Sequence, residues 1–445
     1  MGDQVIRIGG YAFSDCQSLK SVTISANTKE IEWGHYNPFH WCLNLETIYL
    51  RAPIPPRWFS ACYCNYPNNL SVFVPKGSLS LYQNSAWYNE FGPYMKGYEF
   101  ENLPAIDTDK YYISTDFSQD GTVVKLQTAT KGNGIEIVLM GDKYSDRQIA
   151  DGTYRADMEA MYNAFFTREP FKSFREFFNV SYVNVASLIE GQTSKLSAII
   201  ASNGVSVDKE ACIKYTLNAV PEEKMDNTVV AVYVTNSEWP GLFSRGMCTM
   251  YDPEDLSDDY GSGFSIAKVY CAVSELDYYI THEACGHGFG KLQDEYVWRD
   301  YLCRSKVFHH DWGWSKNVDI TDDPASICWS HFLSDARYAN EVGIYEGGAL
   351  WEEGVWRPSR NSVMNEDEAG NFNAPSREAI YYRIHKLAYG ESWEYNYEEF
   401  VEWDARNRTA TATTNTLSCE PMIYNNDARH CPPVIVNKSW REFVK

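Results

Sequence analysis

The chain has 445 residues, 44% of them hydrophobic and 15% aromatic, which is ample for packed cores and excludes a wholly disordered protein. Its 60 acidic against 39 basic side chains leave a formal charge of −21, which opposes binding to nucleic acid or anionic membrane surfaces. No run of about 18 apolar residues marks a transmembrane helix, and at roughly 100–200 residues per domain the length calls for about two to four domains.

In chain order, the first pattern is a repeat. Phe13, Cys16, Leu19, Val22 and Ile24 return as Phe39, Cys42, Leu45, Ile48 and Leu50, each 26 residues later. Val72 and Val74 echo the last two positions. A period of 20–29 residues with a short alternating strand is the mark of stacked leucine-rich repeats, in which each unit buries its apolar ridge against its neighbours. Cys16 and Cys42 share one repeat position and are expected as a stacked, buried ladder. Twelve cysteines in all show no paired CxxC or CxxH at zinc-finger spacing. Residues Met1 to Arg7 lack the basic and apolar segments of a signal peptide. The repeat also starts in mid-pattern, which predicts a trimmed start rather than a cytosolic protein.

Residues 99–132 are rich in breakers and polar turns and read as a connector. Ile135 to Met140 predicts a buried strand. Residues 153–168 carry Met158, Met161 and Phe165 at helical spacing, with Pro170 as a stop. Val180 to Val185 and Val229 to Val234 are rich in β-branched residues and predict further strands. Strands alternating with helices argue for an α/β sheet, and no linker breaks residues 133–445. The expected division is 1–98 repeats with a terminal cap, 99–132 connector and 133–445 one large domain.

The chemistry concentrates in Thr281-His282-Glu283-Ala284-Cys285-Gly286-His287-Gly288-Phe289-Gly290-Lys291-Leu292-Gln293-Asp294-Glu295-Tyr296. Two His on one helix face beside a Glu are the donor set of a zinc peptidase, with the Glu as general base. Here the two His are five apart, and at about 100° per residue they diverge by about 140° on an ideal α-helix. One residue looped out as a π-bulge restores a common face, and Gly286 is the expected place. A competing register pairs Glu283 with His287, but it leaves Ala284 where the base should stand. Gly290 is expected to turn the chain so that an acid returns as third ligand: Asp294 first, then Glu295, then the distant Glu346. Met364 is read either as a Met-turn beneath the site or as a core residue. Tyr296 is read either as an oxyanion donor or as packing. His309, His310, His331, His385 and His430 are read as loop or isolated residues.

Two families share these motifs. Residues 5–98, closing with Val74-Pro75-Lys76-Gly77-Ser78 and then Tyr82 and Trp87, resemble BspA-type leucine-rich repeats of bacterial cell surfaces. Most of residues 133–445 resembles the IgA-peptidase family of metallopeptidases. The resemblance is carried by Ile135 to Asp142, Glu169-Pro170-Phe171, the His282–His287 run, Asp294-Glu295-Tyr296, Tyr345-Glu346-Gly347-Gly348, Arg357-Pro358-Ser359, Asn361-Ser362-Val363-Met364 and Phe372 to Glu378. The spacing of five departs from the four of many members. A local likeness to dipeptidyl-peptidase III enzymes, which have His-Glu-x-x-Gly-His with both His on zinc, supplies a precedent for it.

The resemblance implies a zincin-like α/β domain with a mixed sheet and an active-site helix, preceded by a short repeat solenoid. It implies zinc on His282, His287 and Asp294, with Glu283 as catalytic base. The implied activity is endopeptidase action on host or dietary proteins or glycoproteins, outside the cell or at its surface. The repeats are read as docking a host or matrix protein, or as a spacer. Two other functions stay open: a surface adhesin whose enzyme domain is inactive, and a dipeptidyl exopeptidase.

Overall fold

The computed structural model describes residues 1–31, 38–58, 69–83, 85, 87, 91–106, 111–201, 204–235, 244–298, 306–365, 370–408, 423–424 and 430–444. In the first hundred residues, Ser21–Ile24 lies parallel to Thr47–Leu50 with Ser21 opposite Thr47, so the sequence offset of 26 is the step between neighbouring strands. Ser71–Pro75 and Met95–Tyr98 extend that sheet, also in parallel. Arg7–Ile8, Glu30–Ile31 and Arg57–Trp58 form a second parallel sheet. Alternate residues Val22, Ile24, Ile48, Leu50, Val72 and Val74 point into one shared core with Phe39, Leu45 and Phe91. Tyr82 and Trp87 close that core, their polar tips donating to Ala52 O (2.9 Å) and Pro56 O (2.7 Å). The cysteine ladder is incomplete. Cys42 is buried with its thiol donating to Phe13 O at 2.9 Å, but Cys16 is exposed, because no described unit stacks beyond it.

The rest is built on a seven-stranded mixed sheet. Its strands are β1 (Val123–Gln127), β2 (Ile135–Asp142), β3 (Phe178–Val183), β4 (Val229–Val234), β5 (Arg245–Tyr251), β6 (Ser265–Tyr270) and β7 (His430–Val436). The spatial order is β7-β5-β6-β4-β2-β3-β1. β6, β4, β2 and β3 run parallel, β1 and β5 flank them antiparallel, and β7 joins β5 in parallel. All eight residues of β2 and all six of β4 are buried, as a parallel strand covered on both faces requires. β1 falls inside the stretch read as a connector. An edge strand pairs on one side only, so five residues of mixed polarity suffice, and the α/β unit begins before residue 133.

Four α-helices matter for the site: α1 (Thr153–Phe165), α2 (Lys209–Leu217), α3 (Ala374–Tyr389) and α4 (Tyr397–Asn407). One face of the sheet packs Ile135, Ile137 and Leu139 against α1, α3 and a helix that carries His282. The other packs Val138, Met140, Val230 and Val232 against α2 and Trp440. Among the described residues no helix is long and apolar enough to cross a membrane.

α3 and α4 are joined by a buried ion pair. Arg377 on α3 donates to both oxygens of Asp404 on α4, at 2.6 and 2.9 Å, and lies 2.8 Å from Glu341. Asp404 also accepts from Tyr338 Oη at 2.9 Å and is fully buried. Removing Arg377 leaves the buried Asp404 carboxylate with only Tyr338 and the more distant Arg408, 3.7 Å away. Arg377→Leu is therefore expected to cost about 3–5 kcal/mol of stability, read as a lower denaturant midpoint. A variant that unfolds at the wild-type midpoint would refute this.

Candidate metal centre

The chain enters the site as a short α-helix, Leu276–Tyr279, and continues as a π-helix over Ile280–Phe289. All ten π-helical residues are buried, consistent with a helix clamped between the sheet and α3. Gly290 N donates to Cys285 O at 2.8 Å, the i→i+5 bond of this winding. Residues five apart then lie about one turn from each other, and the His282 and His287 rings sit side by side, 4.9 Å between centroids. The expected single bulge at Gly286 is instead a π-winding through the whole segment. Gly286 serves clearance rather than backbone freedom, since a Cβ there would run into Met364 Sδ. Gly288 likewise lets the helix settle onto β4, where a Cβ would stand 3.0 Å from Val229 Cγ1.

The turn after the helix is made by Lys291, not Gly290. Lys291 takes the left-handed conformation (φ 52°), whereas Gly290 stays right-handed at φ −70°. A left-handed conformation in an L-residue costs about 1–2 kcal/mol. Here it is held by the buried ammonium, which donates to Gly263 O at 2.6 Å and to Ser265 Oγ on β6. Burial, with Arg383 nearby, pushes the Lys291 amine well below its usual range. The reversal brings Leu292 O back to His287 and carries Asp294 to both imidazoles.

His282 Nε2 lies 3.1 Å and His287 Nε2 3.2 Å from the same oxygen, Asp294 Oδ1. The other ring nitrogens are committed to carbonyls: His282 Nδ1 to Val363 O at 2.9 Å, and His287 Nδ1 to Leu292 O at 2.7 Å. A carbonyl only accepts, so each Nδ1 carries the proton and each Nε2 presents a lone pair. Burial lowers the His282 pKa and so favours the neutral ring. Two lone pairs facing a carboxylate in a dry interior call for a cation between them. His287 Nε2 and Asp294 Oδ2 are, besides, buried without a hydrogen-bond partner. These three residues therefore fit a metal ion, with the two-imidazole, one-carboxylate set of a catalytic site.

Glu283 points elsewhere. Its Oε1 accepts from His430 Nδ1 at 2.7 Å, and its carboxylate abuts Gly246 of β5, where a Cβ would stand 2.5 Å from Oε1. The register that would pair Glu283 with His287 as ligands is thus not the one adopted. His430, isolated in the sequence, is not isolated in the fold. It is fully buried, and its ring stacks on His282 with 3.7 Å between centroids. No spacing rule reaches it, because it lies 147 residues from Glu283 on the last strand of the sheet.

The remaining expectations divide. Glu295 is not brought to the trio: its carboxylate accepts from Asn317 Nδ2 (2.9 Å), Ser362 Oγ (2.7 Å) and Asn373 Nδ2 (2.7 Å), tying three loops together. Burial raises its pKa. Glu346 is exposed and accepts from Gly354 N at 3.0 Å, so it is not a ligand in this arrangement either. Met364 is buried directly against the π-helix at Gly286, and its carbonyl accepts from Glu295 N at 2.7 Å. Tyr296 packs with Trp298 and Leu350 and donates its hydroxyl to His430 O at 3.1 Å. His309 stacks on Trp312, His331 pairs with Glu378, and His385 stacks on Trp393. A second trio, His310, Asp319 and Cys328, also converges. There every group is already engaged: His310 with Val318 O, Asp319 with Ile320 N and Cys328 N, and Cys328 Sγ with Lys316 O. That trio staples a loop.

Comparison with known proteins agrees with both resemblances. Residues 330–384 match the family described as IgA Peptidase M64, and residues 1–92 match the BspA type leucine rich repeat region in six copies. No curated protein matches the chain. The peptidase match does not include the π-helix, but it supplies what braces it: Val363 O on His282, Met364 under Gly286, and Ser362 and Asn373 on Glu295. The partial family match supports a peptidase at the level of the family, and the site has side chains fit for a metal.

Proposed function

We propose that the chain is a zinc-dependent endopeptidase with a zincin-like catalytic domain, acting on extracellular host or dietary proteins, and that its repeat solenoid docks a protein partner. The observation that carries this reading is the convergence of His282 Nε2, His287 Nε2 and Asp294 Oδ1 beside Glu283. Zinc held by that trio would supply Lewis acidity to the scissile carbonyl and would lower the pKa of a water toward about 7. Glu283 takes a proton from the attacking water and passes it to the leaving amine. His282 and His287 are oriented by Val363 O and Leu292 O, so the donor atoms need not reorganise. The four side chains have at most 1% exposure, so a peptide reaches them only when the residues covering them move.

Metal analysis of the purified protein tests this. About one zinc per chain is expected, with proteolysis lost on chelation and regained on adding zinc. A folded chain that takes up no zinc would sink the proposal. The enclosure of the site favours one second reading, a surface binding protein that holds zinc without turnover. Zinc binding with no cleavage of a broad peptide pool would select it. Release of dipeptides from free N-termini alone would point to an exopeptidase.

A further inference from the structure

We infer that His430 is the positioning residue for Glu283, delivered to the site by β7; the inference rests on the peptidase reading above. A glutamate on a helix swings freely unless its carboxylate is held. The bare backbone of Gly246 stands against it, where any Cβ would collide with Glu283 Cγ, Cδ and Oε1. The same oxygen, Oε1, accepts from His430 Nδ1–H at 2.7 Å. Gly246 and His430 face each other in the β5–β7 ladder, so one strand pairing places both.

His430 is itself fixed more firmly than a packed histidine needs. Its ring lies 16° from parallel over His282, and Tyr278 and Tyr279 pack around it at 4.6 and 4.8 Å. Its carbonyl accepts from Tyr296 Oη. The ring thus touches both Glu283 and one of the two imidazoles of the trio. β7 carries Pro432 and Pro433, which suit an edge strand with one unpaired side, and it joins the sheet beside the π-helix.

The test compares His430→Leu with His430→Asn, whose side-chain amide can donate from nearly the same place as Nδ1. In the zinc-loaded protein, His430→Leu is expected to lower kcat by about 10–100-fold, the usual loss on removing an orienting partner, with KM and zinc content unchanged. His430→Asn is expected to recover most of that loss, and thermal melts establish that both variants fold. An activity-independent readout is the imidazole N–H proton of His430 in the NMR spectrum, identified by its absence in His430→Asn and expected to shift in Glu283→Gln. A Leu variant that turns over like wild type overturns the inference. So does one that turns over faster, which would make β7 a plug. A His430 N–H unmoved by Glu283→Gln overturns it as well. If zinc-loaded wild type cleaves nothing, the peptidase reading fails separately, and the proton shift still decides the hydrogen bond.

Discussion

Glu283→Gln is expected to lower kcat by about 10²–10⁴-fold while the zinc content stays at the wild-type level. The substitution keeps length and shape and leaves an oxygen to accept from His430 Nδ1, so the wall formed by Gly246 and His430 stays in place. What it removes is the basic lone pair and the negative charge. Because Glu283 is outside the His282, His287 and Asp294 trio, its loss should not loosen the metal. Kinetics on a quenched peptide, paired with metal analysis of the same preparation, read both halves. Activity within about twofold of wild type would remove Glu283 as the base. Loss of zinc along with activity would instead point to a third convergent group, His282, Glu283 and His430, as the ligand set.

The second large effect is expected at Asp294. Asp294→Ala leaves two neutral imidazoles to hold a dication in a dry interior. The loss in zinc affinity should exceed the roughly 10–100-fold that accompanies removal of an outer-shell partner. Stability reports this directly. A ligand that binds only the folded state stabilises it by about 2.7 kcal/mol when its free concentration is a hundred times Kd. Zinc should therefore raise the melting temperature of wild type and leave Asp294→Ala unmoved at the same concentration. Glu295→Gln is the control. It sits next in sequence, but its oxygens serve Asn317, Ser362 and Asn373, so the zinc-induced rise should persist even if the whole curve shifts down. A rise abolished in Glu295→Gln and kept in Asp294→Ala would reverse the assignment.

Much of this arrangement was legible locally. The offset of 26 residues became the strand-to-strand step in the repeats. The apolar runs at Ile135 and Val229 became central parallel strands, because burial on both faces demands uninterrupted apolar residues. The spacing of five between His282 and His287 called for π-geometry, and the helix adopts it. β5 and β6 carry no strand signal in the sequence: they include Lys268, Thr249 and Arg245, which the interior accommodates only through particular partners such as the Lys268–Thr249 hydrogen bond of 2.6 Å. β7 was hidden by its two prolines, which argue against a strand unless it lies at an edge.

The sequence alone determined the groups that one short segment can carry: two imidazoles, a carboxylate beside the first, and an acid within reach of a turn. Those are matters of helical pitch and residue type. Which acid returns was decided by Lys291, whose buried ammonium on β6 makes the turn that selects Asp294 over Glu295. What orients the rings was decided by Val363 and Leu292, and what holds the Glu283 carboxylate by Gly246 and His430, the last of them 147 residues from Glu283. Such contacts depend on which strand ends meet at one edge of the sheet. No local period records that, because their energy comes from burying distant groups together rather than from any preference of the segments themselves.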